Sequence, residues 1–358
     1  WNLLKKLFYI FKEQKQPEEK ELVFPDDYFQ YDPQDMRTQM KGLPKQIKEA
    51  YKIGANVNVE GEVNRVIVTG MGGSAIAGLV LKSFLEPDNL NIEVCSEYNL
   101  PIHVDSKTLI IANSYSGNTE ETISTYREAI RKGCKIIAIC TGGKLADLSE
   151  MNRNPLVKIP KNLTQPRIAI AYSFFPILKV LENLRIIENK EKEVQRLIKA
   201  LDKEIYQTTG INLSEKLEGK VPIIYSSKIF EPVAYRWKCQ LNENAKTMAF
   251  NNVFPEMNHN EMQGSKNLPA EFHCVMIKSD VDHRRVVKRM DVTKKVLRGK
   301  GIEVTEIGIK GDTLLTKLFS AIYIGDWTSY FLALRYKTDP ENNSMIDEFK
   351  KDMGPYVA

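Results

Sequence analysis

Along the chain, short apolar runs rich in β-branched residues alternate with longer stretches whose apolar positions recur every three to four residues. The run VNRVIVT at 63–69 has strand character. It passes through Gly70, Met71, Gly72, Gly73 and Ser74 into a helical pattern over 75–85. Strand, glycine turn and helix open a βαβ unit. Further strands are predicted over 90–94, 108–113, 134–140 and 156–159, with a helix over 120–132. Apolar strands separated by helices call for a parallel sheet covered on both faces. The pattern restarts with VPIIYSS from 221, followed by a helix over 231–239, strands over 274–278 and 303–307, and a long apolar helix over 312–334. An apolar helix over 168–189 and a polar one over 190–203 separate the halves. The expected fold is α/β: two tandem domains, each a mostly parallel sheet flanked by helices in three layers. Its repetition suggests internal duplication.

Ahead of the first strand, Asp35 is placed to cap a helix carrying Met36, Met40, Leu43 and Ile47, with Pro44 set to bend it. At the start of the sequence Trp1, Leu4, Leu7, Phe8 and Phe11 recur at helical spacing, which reads as a short amphipathic helix packed on the body or on a partner subunit. The charges over 12–20 and the lack of a small-residue cleavage site argue against a signal peptide. The expected partition is an N-terminal helix and extension (1–35), a first domain (36–160), a helical connection (161–210), a second domain (211–335) and a C-terminal segment that completes the active site (336–358).

Composition narrows the class. A chain of 358 residues can bury two cores without staples. The five cysteines are scattered and lack paired zinc-site spacing, so neither a disulfide framework nor a metal is expected, and a reducing cytoplasm is the expected compartment. The longest apolar stretch, 168–181, is interrupted by Ser173, Pro176 and Lys179 and is too short to span a bilayer, so a soluble protein without membrane contact is expected. Net charge is +5. The densest basic run, 278–300, contains Arg284, Arg285, Lys288, Arg289, Lys294, Lys295 and Arg298 but no interleaved aromatics, so it reads as a solvated helix face rather than a nucleic-acid surface.

Two turns carry the candidate chemistry. The turn from Gly70 to Ala75 lies where a strand ends and a helix begins; its glycines admit a ligand to the backbone, and the helix start offers free N–H groups to an anion. The same spacing fits the GxGxxA dinucleotide fingerprint, with Glu93 near the position of the ribose-binding acid, so a dinucleotide-dependent oxidoreductase is one reading. The second turn, 113–122, is dense in hydroxyls. Ser114, Ser116 and Thr119, with Ser74, offer neutral donors to a phosphoryl group, and Glu120 and Glu121 suit the first turn of the next helix. A capping loop needs one hydroxyl, so three favour a phosphorylated ligand. Of the four histidines, His259, in the polar PEMNHNE run, fits proton transfer better than His103, His273 or His283.

The segments GMGGSAIAG (70–78), NSYSGNTEET (113–122), NENAK (242–246) and PEMNHNE (255–261) resemble the bifunctional phosphoglucose and phosphomannose isomerases, which are built from sugar isomerase domains. The likeness runs over residues 36–353, leaving the first twenty residues outside. It implies that Gly72, Gly73, Ser74, Ser114, Ser116 and Thr119 hold the phosphate of a phosphorylated hexose. It implies that Glu243 moves a proton between C2 and C1, and that Arg167 stabilises the enediolate. His259 would assist ring opening from the neighbouring subunit of a homodimer with active sites at its interface, and Lys350 would contact the region of the ring oxygen. Asn343 falls where those enzymes carry a threonine that helps admit mannose 6-phosphate. The implied reaction is reversible isomerisation of glucose 6-phosphate and fructose 6-phosphate through a cis-enediol, with mannose 6-phosphate as a second aldose and no cofactor. A sugar-phosphate sensor would share the two turns, although its usual DNA-binding helical domain is not evident in the short N-terminus; a catalytically idle scaffold is a further alternative.

Overall fold

The computed structural model describes residues 24–88 and 90–356. The amphipathic helix expected over residues 1–11 lies outside them. Asp35 caps the first helix, α1 (Met36–Lys41), its carboxylate accepting a hydrogen bond from Thr38 N at 3.2 Å. Pro44 does not bend this helix. The chain breaks at Gly42, and Pro44 sits in the first turn of a separate helix, α2 (Leu43–Ala50), where its missing N–H costs nothing.

The first sheet holds β1 (Arg65–Thr69), β2 (Ile92–Cys95), β3 (Thr108–Asn113), β4 (Lys135–Cys140) and β5 (Leu156–Lys158). All neighbours pair in parallel in the order β2-β1-β3-β4-β5. Three helices connect them: α3 (Gly72–Leu85) after β1, α4 (Glu120–Arg131) after β3 and α5 (Gly143–Met151) after β4. The direction of winding reverses between β1 and β3, so the two turns singled out in the sequence lie side by side at the carboxyl edge of the sheet. In open parallel sheets that crevice is the usual ligand position.

Three helices follow: α6 (Ile170–Asn183), α7 (Glu191–Leu201) and α8 (Ile205–Leu217). The helix expected to reach residue 189 stops at Asn183, and Arg185 adopts a positive φ just beyond it. The expected boundary between residues 210 and 211 falls inside α8. The second sheet holds β6 (Val221–Ser227), β7 (Phe250–Phe254), β8 (Phe272–Ser279) and β9 (Glu303–Ile309), parallel throughout in the order β7-β6-β8-β9. Its helices are α9 (Glu231–Ala245), α10 (Arg284–Gly299) and α11 (Leu314–Arg335), and α12 (Ser344–Met353) follows. The basic run contributes α10, which buries only Met290, Thr293 and Leu297 and leaves its charges outward.

Among the described residues, the largest of three apolar clusters is common to both halves. A continuous apolar cluster joins Val66, Val68 and Ile111 of the first sheet, α6, and Ile224, Val275 and Ile277 of the second. The centre of the molecule is α11, buried around its whole circumference from Leu315 to Leu334 and packed on α8 and α9. An all-round apolar helix of this length belongs inside a protein. Among the described residues no helix is long and apolar enough to cross a membrane.

Candidate active site

The first turn is shaped by close approaches that only glycine permits. A Cβ on Gly70 would lie 2.7 Å from Asn113 O, and Gly72 has φ of +51°. Ser74 is buried in the opening turn of α3. Asn113, at the end of β3, donates from Nδ2 to Ser74 O at 3.2 Å and to Ser173 O at 3.3 Å, fastening one turn to the other and to α6. In the second turn Ser114 Oγ and Thr119 Oγ1 lie 2.9 Å apart, and Ser114 Oγ accepts from Gly117 N. Ser116 is exposed, its Oγ accepting from Asn118 N. Gly117 (φ +72°) passes so close to the 141–143 turn that a Cβ would lie 1.8 Å from Gly142 O. Glu120 and Glu121 occupy the first turn of α4 as expected, and the N-cap position itself belongs to Thr119, whose side chain makes no capping bond.

Arg167 stands directly behind the first turn, since a Cβ on Gly73 would lie 3.6 Å from Arg167 Cα. Its side chain is only 5% exposed and gathers groups from far along the chain. Nε donates to Asn244 Oδ1 at 2.7 Å and Nη2 to Pro340 O at 2.5 Å. Nη1 faces Gln165 Oε1 (3.1 Å), Asn343 Oδ1 (3.0 Å) and Glu243 Oε2 (3.3 Å). Burial pulls the guanidinium's pKa down, opposed by Glu243, Glu341 and Asp339. Behind Arg167 sits a buried ion pair: Arg236 donates to Arg167 O at 2.8 Å and is held to Asp326 at 2.9 Å. Such a pair fixes a geometry more surely than it adds stability.

From sequence, Glu243 reads as a loop residue after the helix. The structure corrects this: α9 continues through Asn242, Glu243 and Asn244 to Ala245. The polar residues stay helical because Asn244 is buried, bonding Arg167 and also Ser329 Oγ at 2.9 Å, while Lys246, left-handed at φ +54°, ends the helix. Glu243 is thereby placed on the rigid last turn, 32% exposed and able to meet a ligand.

Asn343 joins this cluster, donating to Gln165 Oε1 at 2.7 Å as well as accepting from Arg167. His259 and Lys350 do not join it within one chain. His259 ends a short turn beyond β7, an edge strand of the second sheet, and Lys350 lies on α12; both are exposed, and neither side chain bonds to the Arg167 group. Three members of the cluster are not among the residues assigned a role from the sequence. Asn244 sits inside the NENAK motif beside Glu243, and Gln165 lies two positions before Arg167. Glu341 is buried, meets Thr164 Oγ1 at 2.5 Å and has its pKa raised by burial. Glu93, the acid required by the dinucleotide reading, is occupied by an ion pair with Arg65 at 2.6 Å.

Residues 62–155 match the SIS domain family, and residues 206–353 match the bacterial phospho-glucose isomerase C-terminal SIS domain. The bifunctional phosphoglucose/phosphomannose isomerase of Caldicellulosiruptor bescii is 43% identical over 328 residues, spanning 87% of this chain and 96% of that protein. The chain belongs to the bifunctional phosphoglucose/phosphomannose isomerase family. A second member of that family, from Thermoplasma acidophilum, is 36% identical over 81% of this chain and 90% of its own length. Among solved structures, the C-terminal domain of glucosamine-fructose-6-phosphate aminotransferase from Francisella tularensis superimposes with a TM-score of 0.67 at 14% identity, covering 86% of this chain and 98% of that one. At that identity the likeness speaks for the fold, two tandem SIS-type α/β domains.

Proposed function

We propose that this member of the family interconverts glucose 6-phosphate and fructose 6-phosphate through a cis-enediol, with mannose 6-phosphate as a second aldose. The observation that carries the reading is the contact of Arg167 with Glu243, a carboxylate on a rigid helix end beside a buried cation, set against the glycine turn of the first sheet. In this reading Gly72, Gly73, Ser74, Ser114, Ser116 and Thr119 fix the phosphate with backbone and hydroxyl donors. That anchoring turns the proton transfer into a reaction within one complex. Glu243 takes the C2 proton and returns it to C1. Arg167 meets the negative charge that grows on the adjoining oxygen. Asn343, bonded to Arg167, borders the place where the configuration at C2 is read.

His259 and Lys350 complete the site by opening the sugar ring. Their exposure, and the lack of any bond from either side chain to the Arg167 group of the same chain, support a homodimer in which His259 reaches the pocket of the neighbouring subunit. The five free cysteines suit a cytoplasmic protein.

The test is turnover of fructose 6-phosphate with glucose 6-phosphate and mannose 6-phosphate read separately, beside Glu243→Gln. Formation of either aldose, reduced about a hundred- to ten-thousandfold in the variant, is expected of a general base. Tight sugar-phosphate binding without turnover by the unaltered chain would instead make it a sensor.

A further inference from the structure

The last residue of the NENAK motif is not explained by its backbone. Lys246 ends α9 in the left-handed region (φ +54°, ψ 30°), with its N–H returned to Leu241 O. A glycine would take this position at less cost, so the lysine is present for its side chain. That side chain folds back over the helix end. Nζ donates to Glu243 O and lies 3.3 Å from Pro340 O, the same carbonyl that receives Arg167 Nη2. Two cations from different elements therefore converge on one carbonyl, beside the carboxylate assigned as the base.

We infer that Lys246 is a second cation of this active site, a positioning residue that holds the segment carrying Asn343 and lends positive charge to the oxygen on which the enediolate forms. The inference rests on the isomerase reading above. Like Arg167, Lys246 is needed most when the substrate becomes most negative, so its contribution falls on the rate of turnover more than on binding.

Unlike Arg167, Lys246 can lose its charge near working pH. Partial burial first, and then the positive charge of Arg167, hold its pKa down to about 8. The opposing groups are Glu243 on its own helix and Asp339 on the segment after α11. Glu341, on that same segment, is turned toward Thr164. The charge on Lys246 is therefore present at neutral pH and lost as pH rises through about 8. Turnover should fall over the same interval.

The experiment measures kcat and KM for fructose 6-phosphate by proton NMR, without coupling enzymes, from about pH 6 to pH 10 on the full chain and on Lys246→Arg and Lys246→Met. A descending limb of kcat near pH 8 is expected for the unaltered chain. In Lys246→Arg, whose cation does not titrate in this range, the limb should move upward by more than about one pH unit. In Lys246→Met, kcat at neutral pH should fall at least about tenfold with KM within about twofold. A limb at the same pH in the arginine variant, or an undiminished kcat in the methionine variant, overturns the inference while leaving the isomerase reading intact. If Lys246→Met fails to fold, the arginine profile still decides. Absence of turnover in the unaltered chain overturns both.

Discussion

Asp282 occupies, in the second sheet, the crevice between the ends of β6 and β8 that corresponds to the turns of the first. It is buried, accepting from Ser227 Oγ at 2.5 Å and from Ser279 N at 2.7 Å. Burial raises its pKa despite these bonds. The folded state therefore holds the Asp282 proton more firmly than the unfolded chain does. Its contribution to stability is full below the unfolded carboxyl's pKa and is lost as pH rises through the folded value. Asn at this position keeps both bonds, receiving from Ser279 N and donating to Ser227, without titrating. Urea denaturation should therefore show Asp282→Asn gaining on the unaltered protein as pH rises toward neutrality, by about 1.4 kcal/mol for each pK unit of the shift. A stability difference that is constant with pH would contradict this account. At this scale the glycines and hydroxyls of the first sheet are legible in the sequence because each of the two turns is complete within ten consecutive residues. Glu341 is not, because its meaning comes from Thr164, 177 positions away.

The elements show why the second turn tolerates so little change. Gly117 combines a left-handed backbone with contact against the 141–143 turn, whereas Gly133, also left-handed (φ +66°), has nothing within 4 Å of the point a Cβ would occupy. Gly133→Ala should cost only the backbone term, about 1–2 kcal/mol, and leave KM unchanged. Gly117→Ala must displace the turn that presents Ser114, Ser116 and Thr119, and KM for fructose 6-phosphate should rise at least about tenfold. Equal KM values in the two variants would separate this turn from substrate binding. Strands β1, β3, β4, β6 and β8 are readable because burial on both faces makes them continuous apolar runs. The strand β7, FNNVF, is not: as an edge strand it needs only partial burial, and its two asparagines obscure the period. The end of α9 misleads for a related reason. Asn242, Glu243 and Asn244 look like loop in sequence, and the helix carries through them with Asn244 buried against Arg167 and Ser329, partners far along the chain.

Across the whole molecule, the duplicated architecture does not yield two independent bodies. Each sheet keeps a smaller apolar cluster on one face, but α11 and α6 join the other faces of both sheets in a single larger cluster that neither half completes alone. Heating should therefore produce one calorimetric transition, with calorimetric and van't Hoff enthalpies equal, and two resolved transitions would contradict the shared core. The tandem arrangement itself is legible from repeated alternation, but the shared helix is not, because an apolar period shows that a face is covered and not what covers it.

One detail of this assembly bears on how the protein rests between turnovers. Nη1 of Arg167 carries two hydrogens and faces three acceptors, Gln165, Asn343 and Glu243, of which Glu243 is the most distant at 3.3 Å. The guanidinium is oversubscribed, so the loosest partner is the first to be released when a substrate oxygen arrives. Until then Glu243 is leashed to the guanidinium. Under the mechanism proposed above, arrival of the sugar would take up that positive charge and release the carboxylate together, so the empty pocket would carry a safety catch that its own substrate lifts.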